Sequence, residues 1–124
     1  EAITESRNAQ FLVPNDIGVL FQLGLLYYQD GQFENSRIVF ERAIELNPNY
    51  SNARYFLGLI YDRQGETDTA ISHFERIQEL NPGNAEVETI LRNMRGGKPA
   101  LSGIAPPPEK RESPPLIESN QGEE

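Results

Sequence analysis

Two pairs of glutamates, each spaced four residues apart, are the residues that come closest to a catalytic acid and base. Glu41 and Glu45 form the first pair, and Glu75 and Glu79 form the second. A catalytic carboxyl pair needs a cleft that raises the pKa of one member. Here an arginine follows the first member of each pair, and the pairs fall on the outer face of predicted helices. We therefore interpret them as solvated charges and expect no enzymatic activity.

The residue types that bind metals and cofactors are scarce. The chain has one histidine, His73, and no cysteine, which excludes disulfides, thiolate zinc sites and thiol nucleophiles. We expect the histidine to face the surface. The glycine pair Gly96-Gly97 follows a predicted helix, whereas a phosphate-binding loop precedes its helix. We therefore predict no metal and no cofactor.

The charge of the chain argues against two classes of partner. Its 124 residues carry a formal net charge of −8, and lysine and arginine form no stripe. Binding to nucleic acid or to an anionic membrane depends on basic residues. No apolar run reaches the ~18 residues that a membrane-spanning helix requires. We expect no nucleic acid and no direct membrane contact by this segment, and we interpret Glu1 as a cut through a longer protein.

A repeat of 34 residues organises most of the chain. Pro14, Pro48 and Pro82 are spaced by that interval, and 12 positions are identical when 17–50 is aligned with 51–84. Apolar residues recur within each unit at the spacing of one helical face. Such internal repetition is typical of stacked helical arrays. The spacing predicts six helices, over residues 1–12, 17–30, 33–46, 51–64, 67–80 and 84–95.

Glycines recur at two places in each unit. Gly24 and Gly58 fall in the middle of a predicted helix, where glycine costs about 1 kcal/mol relative to alanine. We interpret them as points where a partner helix approaches closely. Gly31 and Gly65 follow the first helix of each unit and suit the left-handed residue that ends it.

The repeated positions resemble the tetratricopeptide repeat, whose pattern is Leu-Gly-x2-Tyr, Ala-x3-Phe and Pro. The matching residues are Leu23, Gly24, Tyr27, Ser36, Phe40 and Pro48 in the first unit, and Leu57, Gly58, Tyr61, Ala70, Phe74 and Pro82 in the second. The resemblance implies an all-α fold, a right-handed α-α superhelical solenoid over residues 1–97. It divides this array into a half repeat (1–16), full repeats (17–50 and 51–84) and a capping helix (85–95).

The resemblance also implies a binding face, because in tetratricopeptide proteins the first helices of the units line a concave groove. That groove holds an extended peptide or a partner helix. The groove residues implied here are Phe21, Leu25, Tyr28, Asn52, Tyr55, Leu59 and Arg63. Gly18, Gln29 and Asp62 belong to the same row, and Thr89 and Asn93 extend it. We expect Tyr55 to be an exposed anchor for the partner and Tyr61 to pack within the repeat. Alternatively, part of the row packs beneath helices that precede residue 1.

Residues 98–124 differ from the repeats in composition. Six of the nine prolines lie beyond Gly96, among glutamate, serine and glycine, a composition typical of disorder. We predict a disordered Pro/Glu-rich tail that is dispensable for folding. Alternatively, Leu116-Ile117, an apolar pair between acidic residues, is a short docking motif.

These features predict a non-catalytic scaffold that binds another protein or peptide. The repeats and tail also resemble the C-terminal regions of bacterial multi-span membrane proteins, including O-antigen-polymerase-like ones. That resemblance implies an alternative, the soluble C-terminal part of a larger bacterial membrane or envelope enzyme, which is cytoplasmic or envelope-exposed. Self-association through the open N-terminal end is a third alternative.

Overall fold

The computed structural model describes residues 15–118. Its helices are α1 (Ile17–Gln29), α2 (Phe33–Leu46), α3 (Ser51–Arg63), α4 (Thr67–Leu80) and α5 (Ala85–Arg95), followed by a short 3-10 helix (Pro108–Lys110). Each α-helix packs against the next in sequence, which confirms the all-α repeat fold. The described part thus holds five of the six helices that we predicted. The helix over 1–12, and with it most of the half repeat, lies outside the described residues.

The helix ends follow local sequence signals. The side chain of Asp16 accepts a hydrogen bond from the amide three residues later at 3.1 Å, and Asn84 does the same for α5 at 3.0 Å. These contacts satisfy amides that the first helical turn leaves free. Gly31 and Gly65 end the first helix of each unit with φ of 78° and 83°, as predicted for left-handed glycines.

The two mid-helix glycines mark the places where paired helices approach most closely. A Cβ on Gly24 would lie 2.7 Å from the ring of Phe40, and one on Gly58 would lie 2.4 Å from the ring of Phe74. The hydroxyl of Ser36 donates to the carbonyl of Gly24 at 2.8 Å across the same contact. The interpretation of these glycines as close-approach points is confirmed.

Aromatic side chains join the two units into one core. The rings of Phe40 and Phe56 stack with centroids 5.7 Å apart. The ring of Phe21 packs against both, at 5.7 Å and 6.0 Å. Because Phe56 belongs to the second unit and the other two rings to the first, this cluster forms the interface between units. Such nearest-neighbour interfaces supply much of the stability of repeat proteins.

Residues 98–118 lie against the helices, which differs from our prediction of a disordered tail over 98–124. Residues 119–124 lie outside the described part of the chain. Within 98–118, Ala100, Pro108 and Leu116 are buried. Composition measures whether a segment can build a core of its own, whereas this segment covers apolar surface that the helices already supply. Its prolines also restrict the unfolded chain, which lowers the entropy lost on ordering.

Candidate functional site

The predicted groove residues lie on α1 and α3, and most of them are covered. Phe21, Tyr28, Asn52, Tyr55 and Leu59 are all less than 9% exposed. Leu25 is half-buried and Arg63 is exposed. Our expectation that Tyr55 is an exposed anchor is wrong, because its side chain is fully buried.

Two of the predicted aromatic residues contribute to the core of the repeats. Phe21 packs edge-on against Tyr50, with centroids 5.9 Å apart, in addition to the rings of the interface cluster. Tyr55 contacts the rings of Phe56 at 5.4 Å and Phe74 at 5.6 Å. Packing within the repeats therefore accounts for part of the row, whereas the alternative interpretation placed that packing beneath helices that precede residue 1.

Asn52 binds the backbone of the tail. Its side-chain amide nitrogen donates to the carbonyl of Leu116 at 2.9 Å, and its amide oxygen accepts from the Leu116 N–H at 2.9 Å. Both atoms are buried. A side-chain amide that bonds to both backbone groups of one residue can hold a peptide main chain, whatever side chain the bound residue carries.

The carboxylate of Glu118 caps the N-terminus of α3. It accepts from the backbone amides of Ser51 and Asn52 at 2.7 Å each, and from the Asn52 side chain at 2.6 Å. The residue at the N-cap, Tyr50, makes no side-chain capping bond. Burial raises the pKa of the Glu118 carboxyl, and the bonds from Asn52 and Ser51 offset part of that rise. An anion from the tail thus satisfies amides that the first helical turn leaves free.

A second polar cluster joins the groove to the middle of the tail. The hydroxyl of Tyr55 donates to Glu86 on α5. The guanidinium of Arg111 donates to both oxygens of Glu86, at 2.9 Å and 3.2 Å. Burial, reinforced by Glu86, raises the pKa of Tyr55. We had assigned residues 85–95 as a capping helix and had not included Glu86 in the groove row, but Glu86 lies 34 residues after Asn52 and therefore matches the repeat position of a predicted groove residue.

The other end of the groove also binds tail backbone. Asn93 donates to the carbonyl of Ala100 at 2.9 Å, and the carboxylate of Asp62 accepts from the Ala100 N–H at 3.2 Å. Gln29 donates to the carbonyl of Glu109 at 2.9 Å. All three side chains belong to the row that the family resemblance implied. The tail therefore starts near the C-terminal ends of the first helices and reaches the N-terminus of α3 at Glu118.

A pocket remains open beside the first tail residues. It has a volume of about 490 Å³, and its lining includes Tyr28, Leu59 and Arg63 of the predicted row. The guanidinium of Arg63 lies over the ring of Phe33, 4.0 Å from its centroid. This cation–π contact holds the guanidinium at the pocket. The pKa of the Tyr28 hydroxyl rises to about 12, because of burial and the nearby Glu109.

The acid pairs have structural partners. Glu41 accepts a hydrogen bond from the Tyr61 hydroxyl. Each of the other three carboxylates forms an ion pair with an arginine, Glu45 with Arg42 (3.0 Å), Glu75 with Arg95 (2.7 Å) and Glu79 with Arg76 (2.7 Å). Within residues 15–118, no group of three or more potential metal ligands is present.

His73 lies in a partly buried contact, so our expectation of a surface position is wrong. Its ring stacks on that of Tyr61, with centroids 5.7 Å apart and an interplanar angle of 11°. Burial, with a smaller contribution from Arg54, lowers the pKa of His73 to about 4. The histidine is therefore neutral at pH 7 and is part of the packing between α3 and α4.

A comparison with known families agrees with this geometry. The family model described as tetratricopeptide repeat matches residues 21–85, which is more than half of the chain. A search of curated proteins finds no match. In the described part of the chain, no helix is long and apolar enough to cross a membrane. The matched residues span both helix pairs and the groove helices α1 and α3, and the chain belongs to the tetratricopeptide repeat family.

Proposed function

We propose that this chain is a protein-interaction scaffold whose groove binds an extended peptide segment of a partner protein. Tetratricopeptide repeats generally mediate binding between proteins. The proposal that the groove binds a peptide rests on the pair of hydrogen bonds between the Asn52 side chain and the backbone of Leu116. They are the contacts by which a groove binds a peptide main chain.

An extended ligand fits these contacts better than a helix does. Asn52, Gln29 and Asn93 all bond to backbone groups of the tail. The backbone groups inside a partner helix are already paired with one another and leave such side chains without partners. Buried amides without partners cost about 1–3 kcal/mol each. The polar groups of this groove therefore favour an extended chain.

The apolar residues of the groove would contribute affinity, and the polar ones orientation. With the tail in place, the side chain of Tyr28 is 8% exposed and that of Leu59 is 3% exposed. Covering such side chains with a ligand is favourable at about 25 cal/mol per Å² of apolar surface. Since the pairs of glutamates have structural partners, we propose a binding role without catalysis.

A displayed library of random peptides tests this function. The library is selected against the full chain, and the enriched peptides are then titrated against Asn52→Ala and Glu75→Ala chains. We expect the first substitution to weaken binding at least tenfold and the second to have no effect, because Glu75 is paired with Arg95 away from the groove. Peptides that respond to Glu75→Ala and tolerate Asn52→Ala would contradict the proposal.

A further inference from the structure

The three residues Leu116, Ile117 and Glu118 alternate with respect to the groove. Leu116 is 5% exposed and Ile117 is 83% exposed. Glu118 is partly buried, and its carboxylate bonds to the first turn of α3. The first and third residues therefore face the groove, and the second faces solvent. This is the geometry of a bound peptide ligand.

We infer that Leu116–Glu118 is an intramolecular ligand of the groove, and that the groove selects segments with an apolar residue two positions before a carboxylate. The inference rests on the proposed function and specifies its ligand. In the full chain the tail competes with a partner peptide for Asn52 and for the N-terminus of α3.

Several hydrogen-bond donors of α3 surround the position of the Glu118 carboxylate. Asn52 is 2% exposed, and its side chain bonds to Glu118 and to Leu116. The backbone amides of Ser51 and Asn52 both point at the same carboxylate. An amide side chain in place of Glu118 has only one acceptor oxygen for these donors, and no charge to complement the helix N-terminus.

Two features of the tail would favour its displacement by a partner peptide. One side-chain oxygen of Glu109 is buried without a hydrogen-bond partner, an unfavourable contact that release would relieve. The stretch between Arg111 and Leu116 adds little buried surface, because the side chains of Glu112, Ser113 and Pro114 are exposed. A tethered ligand has an effective concentration in the millimolar range. An external peptide of the same chemistry therefore competes against the tail and binds more weakly than it would to an empty groove.

Fluorescence anisotropy with a labelled peptide tests the inference. The probe has the sequence of residues 111–121, and it is titrated with three full chains: wild type, Leu116→Ala/Glu118→Ala, and Ile117→Ala. We expect the double variant to bind the probe at least tenfold more tightly than wild type, because its own tail no longer occupies the groove. The Ile117→Ala chain should match wild type, since that side chain is exposed.

Changes in the probe test the ligand chemistry on the double-variant chain. Replacing the leucine or the glutamate of the probe by alanine should weaken binding at least tenfold, and replacing the isoleucine should not. A further Asn52→Ala substitution in the chain should abolish probe binding. If the double variant loses helical circular dichroism, the chain with Glu118→Gln replaces it, and we expect the same direction of change.

Equal probe affinity for wild type and the double variant would overturn competition by the tail. So would a wild-type affinity that depends on chain concentration, which would show that the tail binds a second copy. If library-selected peptides still required Asn52 while this probe bound no chain, the proposed function would stand and the ligand assignment would fall. If neither kind of peptide bound, both would fall.

Discussion

The side chain of Asn52 forms two hydrogen bonds of 2.9 Å with the backbone of Leu116, which lies 64 positions later in the chain. Through this contact residues 98–118 cover the row of residues that the family resemblance predicts to be a binding face. The contact also changes what we expect of the tail, which composition alone presented as dispensable. The predictions below follow from it and from the packing beneath it.

Removal of the tail should destabilise the helices. Truncation after Gly97 uncovers Tyr28, Tyr55 and Leu59, and each 1 kcal/mol of stability lost lowers the melting temperature of a domain of this size by about 4–8 °C. Truncation after Glu118 keeps all the described contacts and serves as the control. Differential scanning calorimetry of the two chains measures the effect. Equal melting temperatures would mean that the docked tail contributes nothing to stability.

Gly58→Ala should destabilise the fold. The new Cβ would lie 2.4 Å from the buried ring of Phe74, and overpacking of this kind costs about 1–3 kcal/mol. The helix propensity of alanine offsets up to about 1 kcal/mol of that cost. Urea unfolding gives the net change in the free energy of unfolding. The cost of Gly58→Ala should be smaller when it is measured in a Phe74→Leu chain than in wild type. A chain with Gly58→Ala that is more stable than wild type would show that the two helices are not held at this distance.

Tyr55→Ala should cost more stability than Tyr61→Ala, the reverse of what the family positions suggested. Tyr55 is fully buried, and truncation of a buried aromatic residue costs about 3–5 kcal/mol. Tyr61 is partly exposed and keeps one face toward His73. Chemical unfolding of both variants ranks them, with Tyr55→Phe as the conservative control. A larger loss for Tyr61→Ala would contradict the packing described above.

His73 should make stability depend on pH between about 6.5 and 4. Its pKa is lowered to about 4 in the folded chain, whereas the unfolded chain binds the proton near pH 6.5. The contribution is therefore complete above pH 6.5 and is lost as pH falls toward 4. At pH 5 the loss is on the order of 2 kcal/mol.

Urea unfolding at pH 7.5 and pH 5, with His73→Gln as the control, isolates this effect from that of the carboxylates. Wild type should lose more stability than the variant over this interval. An identical pH dependence in the two chains would show that the histidine titrates normally in the folded state.

The repeated helices could be predicted from the sequence because each is specified twice, 34 residues apart. Gly58 and its counterpart Gly24 both indicated a close helix contact, and the structure has one at each. Asn52, Asp62 and Asn93 were found because the family resemblance assigns a face to every position of a unit. Local sequence patterns thus predict the helices and the face that these three residues share.

The tail could not be predicted in the same way, because its order depends on contacts with distant residues. Leu116 and Glu118 have no repeat to identify them, and their partners on α3 lie more than sixty residues away. Leu116-Ile117 was recognised only as an alternative docking motif. Glu86 was missed because we assigned residues 85–95 as a capping helix, although the spacing of Glu86 from Asn52 matches the repeat.

Hydrogen exchange at the backbone amide of Leu116, followed by NMR, tests the central claim most directly. That amide is buried and donates to the Asn52 side chain, whereas the side chain of its neighbour Ile117 is exposed. We predict that the Leu116 amide exchanges at least tenfold more slowly than that of an unstructured peptide in the wild-type chain. Asn52→Ala, or an excess of the 111–121 peptide, should remove this protection. Exchange of the Leu116 amide at the unstructured rate in wild type would contradict the claim that the groove holds the tail as its ligand.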